Sequence, residues 1–135
     1  ILTSFRLMQF CDQQHRNIPR LRRQAREPFL EINPETAASL NIQTDEWVRL
    51  ETTMGGIRLK AKLNPSLHPK VVATQYGWWQ ECKELGLPDY DALAQHGSNV
   101  NLIISNNNSD PISGAVPHRS QACRVRRLDL QGESR

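Results

Sequence analysis

Cys11, Asp12 and His15 form a short stretch whose residue types could carry out nucleophilic catalysis. A cysteine activated by a nearby histidine reacts as a thiolate. The sequence contains neither GxSxG nor HExxH, and no glycine-rich phosphate loop precedes a helix. The residues alone therefore favour an ordinary loop thiol at Cys11 and predict no catalytic residue in this chain.

Arginine dominates the basic residues, at 13 of the 17 lysines and arginines, in a chain of net charge +3. Five arginines lie between Arg16 and Arg26, and four more between Arg119 and Arg127. The planar guanidinium group matches phosphate and carboxylate groups. The clusters predict an anionic partner, and the alternative is that they are solvated surface residues.

The cysteines Cys11, Cys82 and Cys123 stand far apart without a CxxC pair, and the four histidines are equally scattered. Such spacing builds neither a disulfide framework nor a zinc or iron–sulfur site, so we expect no metal held by this chain alone. Isolated thiols are compatible with a reducing compartment. The sequence leaves the cytoplasm and the periplasm both open.

Three long loops would hold the polar residues: 5–27, 75–98 and 99–118. Loops of more than about a dozen residues are usually functional or disordered. These carry arginine, asparagine, glutamine, serine and a Gly77-Trp78-Trp79 sequence. Arginine binds phosphate, and side-chain amides form hydrogen bonds with the edges of heterocycles. Glycine lets the backbone approach a ligand closely. The loops therefore predict an extended ligand with phosphates and heterocycles. The alternative is a core tryptophan pair with solvated asparagine turns.

Alternating apolar and polar residues predict the framework that positions these loops. The expected strands are residues 1–3, 28–32, 47–52, 57–63, 71–74 and 122–128. The third and fourth should form a hairpin across a Gly55-Gly56 turn. Asn33, Pro34 and Asn41 mark the start and end of a short helix. The remaining segments are predicted as a surface excursion at 11–27, a helical turn near 91–95, turns over 99–118 and a frayed end at 129–135.

A length of 135 residues suits one domain with a single core. No apolar run is long enough to span a membrane, and no signal-peptide pattern follows Ile1. Because the first residue is not methionine, we expect a piece of a longer polypeptide. Short strands with one marked helix predict a small β-barrel or β-sandwich.

Five groups of residues, in this order, resemble the C-terminal molybdopterin-dinucleotide-binding domain of the dimethyl-sulfoxide-reductase-type molybdenum and tungsten oxidoreductases. They are Ser4-Phe5-Arg6 with Gln14-His15-Arg16-Asn17-Ile18-Pro19-Arg20-Leu21-Arg22, Phe29-Leu30-Glu31-Ile32-Asn33-Pro34-Glu35-Thr36-Ala37, Trp47-Val48-Arg49-Leu50-Glu51-Thr52, Gly77-Trp78-Trp79, and Asn99-Val100-Asn101-Leu102 with Asp110-Pro111-Ile112-Ser113-Gly114. The resemblance covers residues 2 to about 128.

The resemblance implies a mainly β fold, a six-stranded double-psi β-barrel with short helices and long loops. It implies a domain over residues 1–128, a flexible tail over 129–135, and bis-molybdopterin guanine dinucleotide with molybdenum or tungsten as the cofactor. The protein ligand to the metal, and an iron–sulfur cluster, would belong to other parts of a larger catalytic subunit. Electron-transfer subunits and the other domains of that larger protein would be the partners, and the isolated domain would be inactive. Formate and nitrate are among the substrates of enzymes with this domain type.

The resemblance also implies a set of cofactor-binding residues. They are Ser4, Arg6, Leu7, Phe10, Asp12, Gln13, Gln14, Gly77, Trp78, Asn101 and Arg119. Arg6 and the loop to Gln14 would contact the phosphates and the guanosine half, whereas Asn101 and Arg119 would lie at the pterin end. The chain departs from the family pattern in three places: Phe5 replaces a glycine, Asp12-Gln13 a His-Ser pair, and Arg119 a lysine.

Two other classes of function fit parts of the sequence. A basic β-barrel that binds nucleic acid would use the arginine clusters, but aromatic residues make up only 6% of the chain and do not alternate with basic ones. A protein-interaction module on the same scaffold would bind peptide and not the dinucleotide. The dinucleotide-binding interpretation predicts no nucleic-acid partner and no membrane segment.

Overall fold

Six strands form one mixed sheet in the computed structural model of the chain, which describes residues 1–94, 97–107 and 109–128. The strands are β1 (Leu2–Ser4), β2 (Phe29–Ile32), β3 (Trp47–Thr52), β4 (Gly55–Leu63), β5 (Val72–Thr74) and β6 (Arg124–Arg127). The helical segments are α1 (Pro19–Arg22), α2 (Pro34–Ser39) and the 3-10 helices Lys83–Leu85 and Val100–Ile103. The mainly β class predicted from the sequence is confirmed.

The strand order is β1-β5-β2-β4-β3-β6. The β1–β5 and β2–β4 pairs are parallel, and the other three pairs are antiparallel. Leu2 also forms a bridge with Gln121, three residues before β6 begins. The edge strand β1 therefore lies against the segment that leads into the other edge strand.

One large apolar cluster forms between the strands and buries the alternate residues that the sequence pattern selects. In β4 the side chains of Ile57, Leu59 and Ala61 are buried, whereas Arg58 is exposed. The same cluster takes apolar residues from most other elements: Leu2, Leu30, Ile32, Val48, Leu50, Val72, Val100 and Ile103. Period-two alternation thus identified the inner face of the sheet correctly.

The β3–β4 hairpin is present, but its turn is not the predicted Gly55-Gly56 pair. Thr52 pairs with Gly55 and Glu51 with Gly56, so both glycines belong to β4 and the turn is Thr53-Met54. The Thr52 hydroxyl accepts a hydrogen bond from the Met54 amide at 3.1 Å and donates one to the Ile103 carbonyl at 2.7 Å. A threonine side chain that bonds the backbone two residues on is a turn device, and it lets the glycines continue the ladder.

Helix α2 starts where the sequence predicts. The Asn33 side chain accepts a hydrogen bond from the Glu35 amide at 2.8 Å, and Pro34 occupies the first helical position. Asn41, just beyond the helix, has a positive φ of 54°. In the described part of the chain, no helix has the length and apolar character needed to span a bilayer.

Residues 11–27 lie mostly at the surface, as their polarity predicts, but three of them are buried. Arg16, Arg22 and Ala25 are buried, and α1 lies within the segment. Hydropathy treats arginine as a surface residue, but these guanidinium groups donate to backbone carbonyls and stack on aromatic rings. Two buried arginines thus anchor this segment.

The segment after residue 98 is also more ordered than predicted. Val100–Ile103 is a 3-10 helix, capped by the Asn99 side chain, and Val100, Ile103 and Ile104 are buried. A second 3-10 helix lies at Lys83–Leu85. The helical turn predicted near 91–95 extends to Gln95, and the frayed end at 129–135 begins at Asp129; both residues lie outside the described ranges.

The β3–β6 pair should weaken in acid because of Glu51. Its carboxylate accepts hydrogen bonds from Arg49 at 2.9 Å and from Arg126, on β6, at 3.3 Å. Desolvation raises the pKa of Glu51, but the bonds from Arg126 and Arg49 outweigh it, so the folded pKa lies below the ordinary 4.5. The stabilisation is therefore present above the unfolded pKa and is lost as pH falls through the folded one.

We expect the difference in Tm between wild type and Glu51→Gln to shrink as pH falls from 7 to 3. Thermal unfolding followed by circular dichroism at several pH values measures it. A constant difference across that range would contradict the assignment.

Candidate functional site

A cavity of about 540 Å³ opens at one end of the sheet, and most of its lining residues lie in loops. Its lining comes from the end of β1 and the loop that follows it, the segment after β5, the 3-10 helix Val100–Ile103 and the segment that precedes β6. The residues are Ser4, Phe5, Arg6, Gln13, Tyr76, Asn101, Val116, Pro117, His118, Arg119 and Ser120. The volume is within the range of sites that enclose a small-molecule ligand.

Strand pairing explains why these distant segments meet. Because β1 and β5 are parallel with Ser4 opposite Thr74, the chain leaves both strands at the same edge of the sheet. Arg6 and Tyr76, each two residues beyond that register pair, are thereby brought together. The Leu2–Gln121 bridge brings residues 116–120 to the other side of β1.

Arg6 is held at the cavity by two neighbours. Its Nε atom lies 3.0 Å from the Asp12 carboxylate and donates to the Tyr76 hydroxyl at 3.0 Å. The Tyr76 hydroxyl donates in turn to the same Asp12 carboxylate at 3.2 Å. The Tyr76 hydrogen bond, followed by the Asp12 charge, raises the pKa of Arg6 above its ordinary value. Within the described residues the terminal nitrogens of Arg6 form no hydrogen bond, so they can donate to an anion.

The cavity lining combines cationic and amide groups. Arg6 and Arg119 supply two permanent positive charges, and His118 stands beside Arg119. Asp12, which forms an ion pair with Arg6, is an acidic group next to the cavity. Guanidinium groups form paired hydrogen bonds to phosphate oxygens. The net positive wall therefore suits a phosphate-bearing ligand.

The Asn101 side chain lines the cavity and is not used by the fold. Its backbone amide donates to the Asn99 side chain at 3.1 Å, and its carbonyl accepts from Ile104. Among the residues with described structure, none forms a hydrogen bond with the side-chain amide of Asn101. A primary amide has two donors and an acceptor, which complements the alternating edge of a heterocycle.

Phe10 and Trp78 lie outside the cavity, in a second apolar cluster with Ala25. Trp78 is only 2% exposed, whereas Trp79 is 39% exposed. Leu7 packs on the same cluster, and Gln14 is exposed away from the cavity lining. The positions of Leu7, Phe10 and Trp78 suit support of the loop.

Gly77 allows another part of the chain to approach its backbone closely, and the residue that does so is Gln13. Its φ is +84°, and a Cβ atom there would lie 2.6 Å from the Cβ of Gln13 and 2.7 Å from its Cα. Glycine is thus required for the loop of Gln13 to pack against the segment after β5. Gln13 itself lines the cavity.

Of the eleven residues that the resemblance implies, the cavity brings together Ser4, Arg6, Gln13, Asn101 and Arg119. Sequence reasoning missed Tyr76 and most of residues 116–120. The parallel β1–β5 register would have identified Tyr76, because it is the counterpart of Arg6. Residues 116–120 reach the cavity through the long-range Leu2–Gln121 bridge.

The other candidate groups that the sequence offers are Cys11 and the clustered arginines. Cys11 is exposed, and the Asp12 carboxylate faces Arg6 and Tyr76. Within residues 1–94, 97–107 and 109–128, no group of three His, Cys, Asp or Glu side chains is placed to hold a metal ion. Arg16 and Arg22 are buried, and Arg126 and Arg127 pair with Glu51 and Glu46.

Comparison with known proteins gives consistent matches. The sequence profile of the family described as Molydopterin dinucleotide binding domain matches residues 1–122. A dopamine dehydroxylase of Eggerthella lenta is 32% identical over 127 residues, covering 91% of this chain and 12% of the relative. A putative catalytic subunit of dimethyl sulfoxide reductase from Halobacterium salinarum is 38% identical over 66 residues, covering 49% of this chain and 8% of the relative.

Among solved structures, acetylene hydratase from Pelobacter acetylenicus has the same fold. The TM-score is 0.78 at 22% identity, over 94% of this chain and 18% of the other. The chain thus spans 12% or less of the length of the two curated relatives compared above. The profile match over nearly the whole chain shows that it belongs to the molybdopterin dinucleotide binding domain family and acts in cofactor binding.

Proposed function

We propose that the cavity lined by Arg6, Asn101 and Arg119 binds the dinucleotide, and that the dinucleotide is molybdopterin guanine dinucleotide in its bis form. The observation that carries the proposal is the convergence of two arginines and an unpartnered amide in one cavity. Phosphates need permanent cations, and a pterin or guanine edge needs paired donors and acceptors. The residues present fit both requirements.

Each group has a distinct role in this proposal. Arg6, oriented by Asp12 and Tyr76, donates from its terminal nitrogens to phosphate oxygens of the guanosine half. Asn101 and Arg119 bind the pterin end, where Arg119 keeps its charge at every working pH. When bound, the cofactor supplies the sulfur ligands of a molybdenum or tungsten ion whose redox chemistry carries out the reaction. The chain contributes binding and orientation, and the metal's protein ligand lies outside it.

The proposal extends to the surrounding protein. Residues 1–128 form one domain of a larger oxidoreductase catalytic subunit, with an iron–sulfur cluster in the N-terminal part of that larger protein. The other domains and electron-transfer subunits are its partners, and the domain alone is inactive. The Leu2–Gln121 bridge, which links one sheet edge to the approach to the other, supports a closed six-stranded double-psi barrel.

Asn101→Leu tests the amide contact in the full-length protein. Loss of one or two neutral hydrogen bonds should weaken cofactor retention by about two- to tenfold. Asn106→Leu, at an exposed asparagine outside the cavity lining, is the matched control and should leave retention unchanged. Pterin content per protein after gel filtration is the measurement. Equal retention in Asn101→Leu and wild type would show that Asn101 only turns the chain.

A further inference from the structure

Two buried arginines stack on the same tryptophan without a carboxylate partner. Arg16 is 1% exposed and Arg22 0%, and their guanidinium carbons lie 4.7 Å and 5.1 Å from the Trp78 ring centroid. Neither forms an ion pair with any residue that the structure describes. Burial, reinforced by the neighbouring Arg22 cation, lowers the pKa of Arg16 to about 10. Burying two like charges is unfavourable unless hydrogen bonds and contacts with aromatic rings compensate for the lost hydration.

Arg16 joins the two backbone segments that hold Arg6. Its guanidinium lies over the ring of Phe10, at 4.5 Å, and over the ring of Trp78, and these two rings meet edge to face. From there it donates to the Asp12 carbonyl at 3.0 Å and to the Tyr76 carbonyl at 2.7 Å. Asp12 and Tyr76 are the residues whose side chains fix the Nε atom of Arg6.

Arg22 makes the same kind of contacts beside Arg16, and one of them is to the backbone of Arg16. It donates to the carbonyls of Arg26 at 2.7 Å, Gln80 at 2.8 Å, and Arg16 and Pro88 at 3.3 Å. None of these four residues lines the cavity. The two arginines therefore share burial, ring contacts and hydrogen-bond type. Only Arg16 donates to Asp12 and Tyr76, whose side chains contact Arg6.

We propose that Arg16 is a positioning residue for the dinucleotide: it clamps Asp12 to Tyr76 and thereby orients Arg6 toward the phosphates. This rests on the proposed function of the cavity. Lysine cannot replace Arg16, because an ammonium group lacks the planar fork that reaches two carbonyls while lying over both aromatic rings. Arg22 stabilises the neighbouring segment without orienting Arg6.

A double-mutant cycle in the full-length protein separates positioning from stability. The variants are Arg16→Lys, Arg22→Lys and Arg6→Ala, with Arg16→Lys combined with Arg6→Ala. For each, the rate of cofactor loss is followed as pterin released over time, and Tm is measured alongside. Phe10→Leu removes one of the two rings that Arg16 contacts and leaves its donors to Asp12 and Tyr76 in place. It therefore replaces Arg16→Lys if that variant fails to fold.

We expect Arg16→Lys to speed cofactor loss by about tenfold in the wild-type background and less than twofold in the Arg6→Ala background. Arg22→Lys should lower Tm comparably with less than a twofold effect on cofactor loss. Phe10→Leu should act in the same direction as Arg16→Lys and also depend on Arg6. Additive effects of the Arg16 and Arg6 changes, or cofactor loss that follows Tm in both lysine variants, would overturn the inference.

The failure of the underlying function has a different signature. If Arg6→Ala retains the cofactor as wild type does, the phosphate-binding role of Arg6 is wrong. If Arg6→Ala loses the cofactor and Arg16→Lys adds its own independent effect, only the positioning role is wrong.

Discussion

Replacing Arg6 by alanine should speed the loss of cofactor from the full-length protein while leaving the fold intact. The Arg6 side chain is 69% exposed, so its loss costs little stability. Its terminal nitrogens are the donors that we assign to the phosphates, and hydrogen bonds between charged groups are the strong ones. We expect the dissociation constant to rise by about 10- to 100-fold. Pterin and metal content per protein, with a far-ultraviolet circular dichroism spectrum, measure the two effects.

Arg20→Ala is the control for general loss of positive charge. Arg20 is an exposed arginine on α1 outside the cavity lining. It should retain the cofactor as wild type does. Equal cofactor loss in the two variants would mean that the arginines act through overall charge, and full occupancy in Arg6→Ala would contradict its assigned role.

The second large effect is expected from Gly77→Ala. A methyl group at this position would lie within 2.7 Å of both Cα and Cβ of Gln13, and the backbone φ of +84° is unfavourable for alanine. The positive φ should cost about 1 kcal/mol and the steric overlap about 1–3 kcal/mol more. Because Gln13 and Tyr76 line the cavity, the displacement should also widen the site and lower cofactor occupancy.

Gly114→Ala separates backbone strain from overlap. Gly114 also has a positive φ, at +69°, but a Cβ atom there would have no heavy atom within 4 Å. It should lose only about 1 kcal/mol in urea unfolding and keep its cofactor. If the two alanine variants were destabilised equally, the contact between Gly77 and Gln13 would not matter.

The strands and helix α2 could be predicted because their signals are local. Ile57, Leu59 and Ala61 alternate with polar residues, and Asn33 precedes Pro34 at a helix start, so each pattern specifies its own element. The burial of Arg16 and Arg22 could not be predicted in this way. It depends on rings and carbonyls up to 66 residues away along the chain, such as the Pro88 carbonyl bound by Arg22.

The residues of the candidate site also fall into a group that local sequence identifies and a group that it does not. Arg6, Gln13, Asn101 and Arg119 could be identified by resemblance, since each stands in or beside a recognisable motif. Tyr76 and its bond to Arg6 follow only from the parallel pairing of β1 with β5. A pairing between strands about 70 residues apart is not encoded in either strand alone.

The structure of the full-length, cofactor-loaded protein would test the central claim most directly, by the distance from Arg6 and Arg119 to the dinucleotide. We predict phosphate oxygens within about 3 Å of the Arg6 terminal nitrogens. We also predict a heterocycle edge within hydrogen-bonding distance of the Asn101 amide. A dinucleotide bound elsewhere on this domain, for example in the groove between Arg49 and Arg124, with the Arg6 cavity open to solvent, would contradict both predictions.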